Sequence, residues 1–137
     1  MSGGLTDAAE VDILKMMTGQ ATTIWTTTPL TNVYCALTLT VPTDSAAGTE
    51  VTGGSYARVQ TVGKWSTSPS GAGGCPNTVA ITFPTPTADW GTVVGFELWT
   101  ASSGGTRIAH GTTPIKVVSN GGAAPSFPIG SLVIYAN

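Results

Sequence analysis

Side chains able to do chemistry are few in this chain of 137 residues: one histidine (His110), two cysteines (Cys35 and Cys75), seven acids and five bases. A Ser-His-Asp triad would have to use His110, with Asp89 as an acid, but their spacing matches no such arrangement. The stretch Gly53-Gly54-Ser55-Tyr56-Ala57 lacks the last glycine of a nucleophile elbow. Gly71-Ala72-Gly73-Gly74 runs into Cys75-Pro76, with neither the Gly-Lys-Ser/Thr of a phosphate loop nor a following helix, so it reads as a loop. Cys35, Cys75 and His110 stand alone, without the short paired spacing of structural zinc sites. Asp44 and Glu50 lie in one polar loop but lack calcium-loop spacing, and a glycosidase pair drawn from them would need a cleft that short strands do not offer. The sequence therefore predicts no enzyme, no metal site and no cofactor.

What remains chemically active is contact. Trp25, Trp65, Trp90 and Trp99 carry flat apolar faces with one hydrogen-bonding edge, which suits both cores and interfaces. Trp90, between Asp89 and Gly91, reads as a structural corner. Trp25, Trp65 beside a Gly/Ser-rich loop, and Trp99 on the outward side of its strand are interface candidates, as are Tyr56 and Arg58 on one strand face. Arg58 also has two acids, Glu50 and Glu97, with which to pair.

The elements that must position these residues follow from hydrophobic period. Leu5 to Thr18 has helical spacing, with Asp7 as the expected cap and Gly19 as the stop; Val11, Leu14 and Thr18 form one stripe and Glu10, Asp12 and Lys15 are left for solvent. After Gly19 the period becomes two. Strands are expected at 33–41, 55–62, 78–83, 92–100, 106–110, 115–119 and 132–136, separated by Gly, Pro, Ser and Asn. The pattern predicts a mainly β, antiparallel sandwich or barrel-like fold with one short N-terminal α-helix, as a single domain over 1–137 whose β-rich body runs from 33 to 136. Residues 43–54, the uncharged 66–77 loop, expected to be flexible, and 120–128 are the linkers.

Composition bounds the function. Only 9% of residues are charged, against roughly 25% in an average soluble domain, while Thr (24), Gly (18), Ser (11) and Pro (9) make up nearly half of the chain. Such a surface suits burial against other chains. The five bases are scattered singly, which argues against nucleic acid and anionic membranes as partners. The acidic opening after Met1 lacks the apolar core of a secretory signal, so folding in a cytoplasm is expected, with both cysteines as thiols.

Four stretches carry a family resemblance: Leu5-Thr6-Asp7-Ala8-Ala9-Glu10; Tyr34-Cys35-Ala36-Leu37 leading to Pro42-Thr43-Asp44; Gly48 to Arg58 (Gly-Thr-Glu-Val-Thr-Gly-Gly-Ser-Tyr-Ala-Arg); and Ile81 to Val93 with its Pro84-Thr85-Pro86 and Asp89-Trp90-Gly91. In their order and spacing, followed by Gly104-Gly105 and a closing strand near Leu132, they resemble the small tailed-bacteriophage structural proteins labelled tail-fibre-like. The resemblance implies a non-enzymatic virion component, made in the host bacterial cytoplasm. Its expected partners are copies of itself, as a homo-oligomer with trimeric symmetry, and other virion proteins such as the major capsid protein. Capsid decoration, cementing the assembled head through subunit interfaces, is the first expectation; a tail-fibre or tail-tip role contacting the host surface is the alternative.

Overall fold

The computed structural model of the chain describes residues 6–22, 29–70 and 74–136. It is mainly β, with antiparallel ladders and one helix near the N-terminus. Two compact units emerge. One contains the described residues up to Asn32 together with Thr61–Ile81 and residues from Phe127 on; the other contains Val33–Gln60 and Thr82–Ser126.

In the first unit, helix α1 spans Asp7–Met17. Its cap is Thr6 and not Asp7: the Thr6 hydroxyl accepts from the Ala9 N–H at 3.3 Å, and Asp7 becomes the first helical residue. A Thr hydroxyl in extended backbone is one of the preferred acceptors for the orphan N–H groups of a first turn. At the other end Gly19, at φ +77°, lets Gln20 N–H reach the Lys15 carbonyl (2.7 Å) while its own N–H reaches Met16 (3.3 Å), the paired closure that only a left-handed residue permits. Leu14 and Thr18 are buried as their spacing predicts, but so is Asp12, which was expected to face solvent. Asp12 is engaged in a polar interaction, which allows a carboxylate to sit on the buried side. No helix among the described residues is long and apolar enough to cross a membrane.

The short strands β3 (Cys75–Pro76) and β8 (Val133–Ile134) pair antiparallel in the same unit, although β3 falls inside the stretch read as a loop. Beside them lies Asn77, 1% exposed, which organises the surrounding chain. Its Nδ2 donates to the carbonyls of Val79 (3.0 Å), Phe127 (3.4 Å) and Pro128 (3.0 Å), and its Oδ1 accepts from Leu132 N–H at 3.0 Å. Its backbone adds bonds to Leu132 O and from Gly130 N–H.

The second unit is built on a four-stranded antiparallel sheet ordered β2-β1-β5-β6: β1 Tyr34–Thr38, β2 Val59–Gln60, β5 Gly91–Trp99 and β6 Arg107–Val118. The remaining strands are β4 (Ile81–Thr82) and β7 (Ser126–Phe127), which form a ladder of their own. In the sheet, Cys35 opposes Leu98 and Leu37 opposes Phe96, forming one apolar face. Ala36 opposes Glu97 and Thr38 opposes Gly95 on the other, and these too are buried. A centre covered on both faces explains why strict alternation does not describe it.

Two expected strands, 106–110 and 115–119, are one continuous strand, β6. Pro114 does not break it, because among the described residues β6 pairs only with β5, and an edge strand tolerates a missing N–H, especially at the register break opposite Val93–Gly95. Gly111 within it faces Phe96: a Cβ there would stand 2.6 Å from the ring.

Candidate functional site

Three of the five interface candidates, Tyr56, Arg58 and Trp99, converge in the second unit on a network of carboxylates and donors. Gly53, Gly54 and Ser55 all take positive φ (73°, 54° and 64°), turning the chain so that Tyr56 enters the unit. Its ring stacks on Phe83 (centroids 6.2 Å apart) and meets Trp90 edge-on at 5.3 Å. Trp90 is indeed a corner: it is buried, and its indole N–H donates to the Gly54 carbonyl at 2.9 Å.

The Tyr56 hydroxyl accepts from Leu37 N–H and donates to Glu50 Oε1 at 2.9 Å. Arg58 grips the same carboxylate with both arms of its fork, Nε to Oε1 at 2.8 Å and one terminal nitrogen to Oε2 at 2.7 Å. Its other terminal nitrogen donates to the carbonyls of Ala101 and Gly104, and the guanidinium lies 4.5 Å from the centre of the Trp99 ring. Of the two acids available to Arg58, Glu50 is therefore the partner. A planar cation with five fixed donors suits this bidentate and stacked setting as lysine would not.

Glu97 anchors the adjoining half of the network. Its side chain is 1% exposed and accepts from three directions: Gly48 N–H (2.8 Å), the Trp99 indole (3.0 Å) and Arg107 (3.3 Å). Arg107 also donates to the Asp44 carbonyl, and His110 Nε2 lies 2.7 Å from the exposed Asp44 carboxylate. His110 thus meets a side chain, while Asp89 accepts instead from Asn120 N–H. The residues from Asp44 to Glu50 are drawn onto the sheet by these bonds.

Tyr56, Arg58 and Trp99 are therefore neighbours around Glu50. Trp65 belongs to the other unit and is 3% exposed, offering no open face, and its indole N–H has no partner among the described residues. Trp25 lies outside the described residues. Sequence reasoning missed Glu97 and Arg107 as a pair; the available signal was a carboxylate inside the apolar run Phe96-Glu97-Leu98-Trp99.

Chemically the arrangement fixes shape. Both central carboxylates are already surrounded by donors, and no group of three or more His, Cys, Asp or Glu that could hold a metal gathers among the described residues. The bond to Glu50 holds the Arg58 proton more tightly than usual, and burial pushes the Tyr56 phenol and the Cys35 thiol well above their ordinary values. Both cysteines are buried free thiols.

A pH dependence follows with a definite sign. Folding raises both values, so the folded chain keeps protons that the unfolded chain releases above the ordinary thiol value of 9.0 and phenol value of 10.0. Their contribution to stability is complete below pH 9 and is lost as pH rises, by up to about 1.4 kcal/mol per pH unit for each group. Thermal midpoints measured under reducing conditions at pH 7, 8 and 10.5 should be level between the first two and fall at the third. Tyr56→Phe should remove part of that fall.

The network makes a rigid scaffold for surfaces, and comparison with known proteins says what kind. A family model described as "Podophage GP4 fiber I protein gp80" matches residues 4–135. The chain belongs to this family. Membership of the phage fibre family makes it a bacteriophage structural protein and gives it a virion role, as the four quoted stretches implied. No curated protein matches the chain.

Proposed function

We propose that this protein is a fibre subunit of a phage particle, working through binding surfaces and not through catalysis. The observation that carries the reading is the family match across nearly the whole chain, whose description names a fibre protein. The low charge agrees with it, since side chains such as Thr and Ser are cheaper to desolvate against another subunit than Lys or Glu. Synthesis takes place in the host cytoplasm, and the partners are further copies of the chain and neighbouring virion proteins.

Decoration of the head, the first expectation from composition and resemblance, is the competing outcome, and copy number separates the two. Quantitative mass spectrometry of purified particles should find few copies relative to the major capsid protein. Abundance comparable to that of the capsid protein would move the assignment to the head.

A further inference from the structure

The turn that leaves β6 in the second unit holds the one Asn-Gly pair of the chain, Asn120-Gly121. That dipeptide carries its own chemistry. The backbone nitrogen of the following residue can attack the asparagine side-chain carbonyl, and a glycine has no Cβ to hinder the approach. Asn32 and Asn77 are followed by Val33 and Thr78, whose branched Cβ atoms crowd the same nitrogen. Asn120 is exposed, and its carboxamide makes no hydrogen bond among the described residues.

The backbone around it is held on several sides. Gly122 N–H donates to the Ser119 carbonyl at 3.0 Å, closing a four-residue turn in which Asn120 keeps a negative φ and Gly121 takes +69°, the type II pattern. The 86–89 segment grips this turn at two points: Gly121 N–H donates to the Pro86 carbonyl at 3.0 Å, and Asn120 N–H to Asp89 Oδ1 at 2.8 Å. The nitrogen that would attack is therefore the one bonded to Pro86. It reacts only after leaving that bond and losing its proton, so the rate follows the fraction of time the turn is open.

We propose that Asn120 is a site of spontaneous deamidation, and that the bonds to Pro86 and Asp89 set its rate. The Gly121 nitrogen forms a bond to Asn120 Cγ, the Cγ–Nδ2 bond breaks, and ammonia leaves with the proton that the Gly121 nitrogen gave up. The succinimide ring so closed is opened by water at either carbonyl, giving aspartate or isoaspartate. One water enters and one ammonia leaves, with nothing oxidised or reduced. Both products place a carboxylate beside that of Asp89, and like charges this close repel. The isoaspartate form also adds a methylene to the backbone between the two N–H groups that bond Asp89 and Pro86, so it no longer fits both acceptors. Conversion thus loosens the connection from β6 to β7.

Purified full-length chain in mildly alkaline buffer provides the test, read by peptide mass mapping and by labelling with an isoaspartyl methyltransferase. The mass gain of an amide-to-acid exchange and the label should appear at Asn120, with Asn32 and Asn77 unchanged, and Asn120→Gln should abolish both. Chain kept unfolded in urea should convert at Asn120 several-fold faster than folded chain. Asp89→Ala, with circular dichroism unchanged, should fall between them. Equal rates for folded and urea-treated chain, or the wild-type rate in Asp89→Ala, would overturn the control by the turn. Conversion first at Asn32 or Asn77, or no Asn120 product from folded chain by the time the urea-treated chain has converted, would overturn the site itself.

Discussion

Replacing Glu97 by alanine should lower the stability of the second unit by roughly 3–5 kcal/mol, the range for removing one partner of a buried ion pair. The loss is large because one truncation strands three donors at once: Gly48 N–H, the Trp99 indole and the Arg107 guanidinium. For a chain of this size such a loss lowers the thermal midpoint by about 10–20 °C. Glu97→Gln separates charge from shape. It fills the same volume, and with the amide oxygen kept toward Gly48 N–H and Arg107 its NH2 faces the Trp99 indole donor, so the expected cost is intermediate, about 1.5–3 kcal/mol. Glu50→Ala is the comparison, since Glu50 is 26% exposed and water replaces part of what is lost. Calorimetry on the three variants should rank them with Glu97→Ala worst; a shift of under about 2 °C for that variant would show that the Glu97 network carries no stability.

Asn77→Asp should be nearly as damaging at neutral pH and should reveal its cause through pH. The change is close to isosteric, yet it turns a donor of bonds to three carbonyls into a carboxylate facing them, in a site 1% exposed. Buried unpaired acceptors cost about 1–3 kcal/mol each, so a loss of roughly 3 kcal/mol or more is expected at pH 7. Burial against carbonyls favours the protonated acid and raises its folded pKa above the unfolded value near 3.9. The folded form is therefore least penalised below that value, and the penalty grows as pH rises through the folded pKa. Denaturant melts should show Asn77→Asp approaching wild type near pH 4 and falling away by pH 7. A deficit that does not change with pH would mean that the side chain acts by packing alone.

Both residues show how far the sequence could be read. α1, β1 and β5 were legible because each carries its own period: Leu14 and Thr18 at helical spacing, Cys35 and Leu37 alternating, Phe96 and Leu98 likewise. Asn77 was not, because it closes a stretch of small uncharged residues, and its role depends on carbonyls some fifty positions away, Phe127 and Pro128. Arg58 had two acids to pair with in the sequence, Glu50 and Glu97, and the fold gives it Glu50 and gives Arg107 to Glu97. That choice is made by which loop crosses which strand, which local pattern does not encode. The same holds for β6, where Gly111 and Pro114 are breaks in local terms but fit a strand whose outer edge has no paired strand among the described residues and whose inner neighbour places an aromatic ring over the glycine.

The functional residues divide along the same line. Tyr56, Arg58 and Trp99 were singled out one by one for contact, and the fold assembles them into a single clamp around Glu50 that holds the 43–50 loop and the 100–106 hairpin. Their polar atoms are turned inward, so what the unit offers to partners is the surface they support, of which Ile115 and Val117 are the most exposed large apolar residues. A low-charge exterior on an internally bonded scaffold suits a subunit that spends its working life against other subunits.

The most direct test of the fibre assignment is electron microscopy of intact particles labelled with gold-conjugated antibody raised against the purified chain. The fibre reading predicts gold confined to the tail region, at a few sites per particle. Labelling distributed over the head would contradict it in favour of decoration, and particles without label, in a lysate where free protein is labelled, would contradict a virion role altogether.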